Sequence, residues 1–241
     1  MLIVNADDVG ASESTTDPAI ASYDEGVISS VSAMVWMADS RRAAGLALER
    51  RIPVGLHLNL TLPFSDEGAP EDARAMHQQL VARFDSVSWM RDDAMFDERD
   101  PVIVAAIAHQ LEAFRALYGE PTHLDGHHHV HVHPAVLPCL PREYPIRPVI
   151  KKPSELIRRR SSRDRKLRKA FRTADGCVNF RQIHPSTGGA GLQVLKFARR
   201  RVLDVMVHPQ FSDEREALRT PEWTAALSSL QLGSYRGLGA R

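Results

Sequence analysis

Cysteine is scarce: Cys139 and Cys177 are the two in 241 residues, and they form no CxxC spacing. That excludes a disulfide framework, and thiols in a reducing compartment are the plain reading. Long apolar runs are missing too. None reaches the roughly 18 residues a spanning helix needs, and Met1 leads into Leu2, Ile3 and Val4 without a basic segment, so a cytoplasmic protein with no membrane span is expected. Nor is there an excess of one charge. The 31 Lys and Arg against 30 Asp and Glu leave a net charge of +1, which gives no global field to draw in nucleic acid or a membrane surface. A charged partner must be recognised locally. What is present is 43% hydrophobic residues, enough for one substantial core, so residues 1–241 are expected to form a single domain.

Leu2 to Asn5 is a short apolar run that stops at Ala6, Asp7 and Asp8, as a buried parallel strand ends at its carboxyl edge. Ser14, Thr15, Thr16 and Asp17 offer N-caps ahead of Pro18 for a helix that Gly26 would end. Val27 to Met37 reads as a second strand, the Ala-rich stretch through Arg51 as a helix capped by Asp39 or Ser40, and Val54 to Leu60 as a third strand. From Thr61 to about Asp100 the signals are mixed, with a helical patch near Glu71 to Phe84, and so long a connection suggests an excursion over the active face. Ile103, Ile107, Leu111, Phe114 and Tyr118 are spaced by threes and fours, predicting an amphipathic helix over 101–118 closed by Gly119. A histidine-bearing strand, a proline-rich region from Pro134 to Pro148, a strand around Ile146 to Lys151, a basic stretch to Arg172 and a strand from Val202 to Val207 into His208 follow. Strands alternating with helices, without an internal repeat, argue an α/β fold, expected to be a distorted (β/α) barrel.

The polar residues that interrupt these strands carry the chemistry. Asp7 and Asp8 are adjacent at a strand end, so one can bind a metal while the other handles a proton; the commoner fate of such a pair is a turn or a helix cap. His57 lies between Leu56 and Leu58 and would show its ring on the face opposite to theirs. The run from His123 to His133 is more specific, because imidazole is the commonest metal ligand and this cluster is internal and interleaved with Leu, Asp, Gly and Val. Residues two apart on a strand are separated by roughly 6.5 Å, so one or two of these histidines can reach a single ion while the others orient ligands or contact substrate. Asp125 could accept the second ring proton of His127 or of another histidine.

Four blocks, Asn5 to Asp8, Gly55 to Thr61, Thr122 to His133, and His208 with Pro209, resemble in order the YdjC family of carbohydrate deacetylases, whose relatives include chitooligosaccharide deacetylases and hopanoid-associated HpnK proteins. The resemblance implies a distorted, TIM-like barrel, one divalent metal, and removal of acetyl groups from N-acetylated sugars. Carried over by block, it implies Asp8, His57 and His127 as metal ligands, Asp7 as general base and His208 as proton donor, with Asn59, Asp125 and His129 in substrate-contacting or supporting positions. It also makes a homodimer plausible. Val9 replaces the Phe usual after the Asp pair and Gln210 the small residue usual after His-Pro, which bears on substrate choice more than on chemistry.

The residue types are consistent with such a mechanism on their own. Two imidazoles and a carboxylate leave positions on a metal for water and a carbonyl oxygen, so that water attacks, Asp7 takes its proton and His208 protonates the departing amine. Zinc suits two imidazoles and a carboxylate, and magnesium a site that keeps several waters, so either Mg2+ or Zn2+ fits. The partner implied is a small-molecule or oligosaccharide substrate. The basic stretch 151–172, with Arg158, Arg159, Arg160, Arg163, Arg165, Lys166, Arg168 and Lys169, has no interleaved aromatics to stack bases and reads as a solvated helix or loop, not a nucleic-acid surface. Trp36, Phe64 and Trp89 are candidates to line a sugar cleft, though core packing is commoner for such residues. Two other classes stay open: a metal-dependent amidohydrolase or phosphoesterase on a non-sugar substrate, and a non-catalytic metal or carbohydrate binder.

Overall fold

The structure, a computed structural model, describes residues 1–85, 99–156 and 162–238. Six strands, β1 (Leu2–Val9), β2 (Ser30–Ala33), β3 (Val54–Leu58), β4 (Leu124–Gly126), β5 (Gly176–Asn179) and β6 (Leu203–Val207), form one sheet of order β4-β3-β2-β1-β6-β5, with every pair parallel. The sheet curls until its edges approach. The extended segment 145–151 fills the gap: Leu124 N–H donates to Pro145 O, Arg147 N–H to Leu124 O and Lys151 N–H to Cys177 O, so Ile146 bridges β4 and Ile150 bridges β5. The result is the distorted α/β barrel expected from the alternation of elements, with the predicted strand at 146–151 reduced to two bridges and serving as its seam. The short strand β5 was not anticipated; Gly176, Cys177 and Val178 are too few to stand out as an apolar run.

The inside of this barrel is polar. On β6, Leu203, Val205 and Val207 join the main apolar cluster with the outer helices while Asp204 lies on the other face; on β1, Leu2, Val4 and Ala6 join the same cluster, and Ile3, Asn5 and Asp7 alternate with them. Ser30 and Ser32 on β2, Gly55 and His57 on β3, and Asp125 on β4 continue the inner layer. These groups satisfy one another. Ser30 Oγ donates to Asn5 Oδ1 at 2.7 Å, Asn5 Nδ2 to Ser32 Oγ at 2.8 Å, and Ser32 Oγ to Asp125 Oδ2 at 2.7 Å. The inner layer ends, at the N-terminal side of the strands, on Tyr235, which is buried with Ile3 and Ala174 and stacks on His123 at 4.1 Å between ring centroids.

The outer layer is helical: α1 (Glu13–Asp24), α2 (Ser40–Glu49), α3 (Glu71–Asp85), α4 (Pro101–Tyr118), α5 (Ser162–Ala170), α6 (Ser212–Ala217) and α7 (Pro221–Ser228). The helix predicted over 101–118 is α4, started by the Asp100 side chain on Val102 N–H and burying Ile103, Ile107, Leu111 and Phe114. Its buried Gln110 donates to Asn59 O and accepts from Asn59 N–H, anchoring the chain just past β3. Three boundaries differ from expectation. Helix α1 starts earlier, at Glu13, because Ser12 and Thr15 make a reciprocal capping box, which leaves Pro18 inside the helix. Strand β2 stops at Ala33 because the chain turns through Trp36, whose φ is +56°. The histidine run is not one strand: after Gly126 it becomes a 3-10 turn over His127–Val132, with His128 and His129 at φ of +51° and +61°.

Within the basic stretch, α5 is pinned by the buried Asp164, which binds Lys151 and Arg168; Arg158, Arg159 and Arg160, like Trp89, lie outside the described residues. Among the described residues no helix is long and apolar enough to cross a membrane.

Gly55 tests the packing of the inner layer. A Cβ there would fall 2.2 Å from Cε1 of the fully buried His123 ring. Overpacking a rigid interior typically costs about 1–3 kcal/mol, so Gly55→Ala should lower the urea midpoint accordingly. An unchanged midpoint would mean that the ring has room to move.

Candidate active site

Asp7 and Asp8 share the site because β1 is irregular where they sit. Ala6 pairs with Val31 and Val9 with Ala33, so the register shifts between them. Asp8 takes a φ of +68°, a conformation Asp tolerates better than most residues, and the bulge re-aims its side chain. Asp7 therefore turns into the barrel, 1% exposed, while Asp8 rises to the carboxyl rim.

At that rim, Asp8 Oδ1 lies 3.1 Å from His57 Nε2 and 2.9 Å from His127 Nδ1. His57 comes from β3, and His127 begins the turn after β4. Ligand atoms of Asp8, His57 and His127 all lie within 4.8 Å of one another, so these three can hold a metal ion. A carboxylate with two imidazoles is a donor set suited to a divalent transition metal. His208, just past β6, is farther out, its Nε2 4.0 Å from Asp8 Oδ2. Its backbone N–H donates to the buried Glu214 at 2.7 Å, which fixes where the ring starts. Burial pushes the Glu214 carboxyl up, against the pull of that N–H.

Below the rim, Arg147 is the hub. Its guanidinium donates Nη1–H to Asp7 Oδ2 at 2.6 Å and Nη2–H to Asp7 Oδ1 at 2.8 Å, lies 2.9 Å from Asp125 Oδ2, and donates Nε–H to Asp204 Oδ2 at 2.9 Å. Tyr235 O–H donates to the same Asp204 oxygen at 2.6 Å. Burial alone would raise the Asp7 and Asp125 carboxyls, but Arg147 and His57 together hold both below their ordinary range. For Asp204 burial wins, and its carboxyl is raised.

Asp125 in turn fixes His57, accepting its Nδ1–H at 2.8 Å and leaving Nε2 toward Asp8. Of the two histidines considered for Asp125, it bonds His57, while His127 lies against Asp8. Burial lowers the His57 pKa, but the charge and hydrogen bond of Asp125, with Asp8 and Asp7 beyond, raise it to about 10. Asp8, between two imidazoles, is pushed far below the carboxylate range despite burial.

The other sequence candidates divide. His129 is brought close enough to feel Asp7, although burial dominates and lowers its pKa to about 4; its Nδ1 is buried without a partner among the described residues. Asn59 is completely buried and its side chain is spent locally, accepting from Thr61 and Leu62 N–H and donating to Leu62 O. It holds the loop after β3 and does not line the site. Phe64 is likewise a packing residue, stacked on His77 at 3.6 Å and against Trp36 at 5.0 Å.

Arg147, Ser32, Asp204 and Glu214 were not among those candidates. For the first three the available signal was a polar residue alternating with apolar ones in a short run, as in Ile146-Arg147-Pro148-Val149 and Leu203-Asp204-Val205; Glu214, inside the polar run Ser212-Asp213-Glu214-Arg215-Glu216, offered none.

Comparison with known proteins agrees with this architecture. A family model described as YdjC-like protein matches residues 1–233. A chitooligosaccharide deacetylase of Serratia marcescens is 36% identical over 142 residues, 58% of this chain and 54% of that protein. A carbohydrate deacetylase of Brevibacillus brevis is also 36% identical over 142 residues, 58% of this chain and 53% of its own. The chain thus spans about half the length of the curated relatives it matches. The crystal structure of an Enterococcus faecalis protein named for cellobiose-phosphate cleavage superposes with a TM-score of 0.68 over 99% of this chain and 98% of that one, at 20% identity, a likeness of fold.

Two outcomes test the buried network. Removing the cation from a buried ionic cluster typically costs about 3–5 kcal/mol, so Arg147→Met should lose that much in urea unfolding; a loss under about 1 kcal/mol would count against the hub. With its folded pKa raised, His57 contributes stability that is complete below its ordinary pKa of 6.5 and lost as pH rises toward about 10. In chelated protein its ring should stay protonated at pH 8 by NMR, and Asp125→Asn should bring the titration down toward neutrality.

Proposed function

Because the chain belongs to the YdjC-like protein family, we propose that it is a metal-dependent carbohydrate deacetylase, hydrolysing the acetamide of an N-acetylated sugar to acetate and the free amine. The observation that carries this reading is the convergence of Asp8, His57 and His127 on one point at the carboxyl rim, with Asp7 directly beneath. The names of the Serratia and Brevibacillus relatives support the substrate class. In this reading residues 1–241 act as one catalytic domain, and the ion held is Zn2+ or Mg2+.

The ion, when bound, supplies a Lewis acid that polarises the amide carbonyl and lowers the pKa of water, from about 15.7 toward about 7 for zinc. The remaining steps belong to the chain. Asp7 is the general base, with Oδ1 taken by Arg147 and Asn5 and Oδ2 by Arg147 alone, which leaves Oδ2 a lone pair for the incoming proton. Arg147 keeps Asp7 ionised but weakly basic, so Asp7 can take a proton only from water that is already acidified. Asp125 holds the His57 tautomer that keeps Nε2 available. His208, oriented from Glu214, protonates the departing amine.

The test is acetate release from diacetylchitobiose and a panel of N-acetylated sugars after chelation, with zinc or magnesium returned. Metal-dependent release should fall at least a hundredfold in Asp7→Asn, while metal uptake by calorimetry persists. Metal uptake with no acetate from any sugar would move the protein to another hydrolase class or to a binding role. Calorimetry in buffers of different ionisation enthalpy should show about one proton released per ion near pH 8, since His57 must lose its proton to ligate.

A further inference from the structure

Among the described residues four large hydrophobic side chains are well exposed: Leu48, Val104, Phe211 and Leu232. Phe211 is the aromatic one of these, and it stands beside the site. Its ring is 48% exposed, and its centroid lies 5.8 Å from that of His208, whose Nε2 is 4.0 Å from Asp8. It is also held rigidly. Phe211 N–H donates to His208 O at 3.0 Å, and Phe211 O accepts from Arg215 N–H at the start of α6. Arg181 lies over the ring, its Cζ 5.0 Å from the centroid, and is itself pinned by Glu214 at 2.7 Å and Asp213 at 2.6 Å. Between Phe211 and the metal-binding carboxylate sits Gln210, whose Nε2 donates to Asp8 Oδ2 at 3.0 Å and whose Oε1 is buried without a partner among the described residues.

We propose that Phe211 is a stacking platform for a second pyranose ring, next to the one whose acetamide reacts, with Gln210, bonded to Asp8 Oδ2 at 3.0 Å, setting the spacing between platform and site. The inference rests on the deacetylase reading and deepens it, making this chain selective for at least two linked sugars. A pyranose presents a face of C–H groups, which matches the exposed aromatic face of Phe211. Fixing the ring in advance removes the ordering cost of stacking. A single ring flanked by Arg181, Asp213 and Arg215 is far smaller than the roughly 800 Å² per partner of a stable protein interface, so a small ligand is the occupant that fits.

The experiment compares wild type, Phe211→Ala and Phe211→Trp on diacetylchitobiose and on N-acetylglucosamine, with binding of both sugars to chelated protein measured in parallel by saturation-transfer NMR. The ratio of kcat/KM for disaccharide over monosaccharide should fall about tenfold in Phe211→Ala, chiefly through KM, and persist in Phe211→Trp. Saturation should reach the C–H protons of the second ring in wild type and fade in Phe211→Ala. Turnover with an unchanged ratio would overturn the platform and leave the deacetylase reading standing. No turnover, with disaccharide binding that still depends on Phe211, would overturn the activity and keep the platform; no binding of either sugar would overturn both. A wild-type dimer that Phe211→Ala dissociates, with the ratio unchanged, would make this face an interface between copies and also overturn the proposal.

Discussion

One guanidinium at the centre of the barrel is the constraint on which the rest depends. Arg147 meets Asp7, Asp125 and Asp204 with no exposed surface of its own. Stripping water from such a group is expensive, and a buried ionic cluster is not in itself a source of stability. What it provides is position. Asp7 is clamped in the plane of the guanidinium by two parallel bonds, a geometry Lys cannot reproduce. Asp125, held from one side by Arg147 and Ser32, has its other oxygen left for His57.

Charge accounts for the state of the rim. Three buried carboxylates face one guanidinium, and the raised pKa of His57 is the interior drawing in a second positive charge where Asp8 and Asp125 meet. A divalent ion at Asp8 would occupy the position that this proton now fills. The burial that raises Asp204 has the opposite consequence at the lower end, where Tyr235 O–H and Arg147 share one of its oxygens. The barrel is thus graded along its axis, ionic near the rim and closer to neutral at Tyr235.

Much of this was legible from the chain. The α/β alternation, the strand ends at Asp7, Asp8, His57 and His208, and helix α4 follow from periodicity and from where polar residues interrupt apolar runs. The inner layer was harder to read, because a barrel this short in its strands shows two or three alternations per strand, too few to separate an inward polar face from a loop. Arg147 illustrates the difficulty: it lies in a proline-flanked segment that pairs at two bridges only, and its meaning comes from partners 140, 22 and 57 residues away. The histidine run misled in the other direction. Regular spacing suggested a strand face, yet the left-handed residues His128 and His129 turn the chain so that His127 alone of that run reaches Asp8.

The sequence distances within the inner layer also bear on how the chain comes to be folded. Strand β1 emerges first from the ribosome, but the cation that answers Asp7 is synthesised 140 residues later, Asp204 follows 57 residues after that, and Tyr235 a further 31. Met1 N donates to Ala198 O, 197 residues away. An early barrel of β1 to β3 would enclose Asp7 without Arg147, so the polar interior can close only once the later strands and Tyr235 are available, and until then the apolar outer faces of those strands are surfaces that a chaperone would have reason to cover.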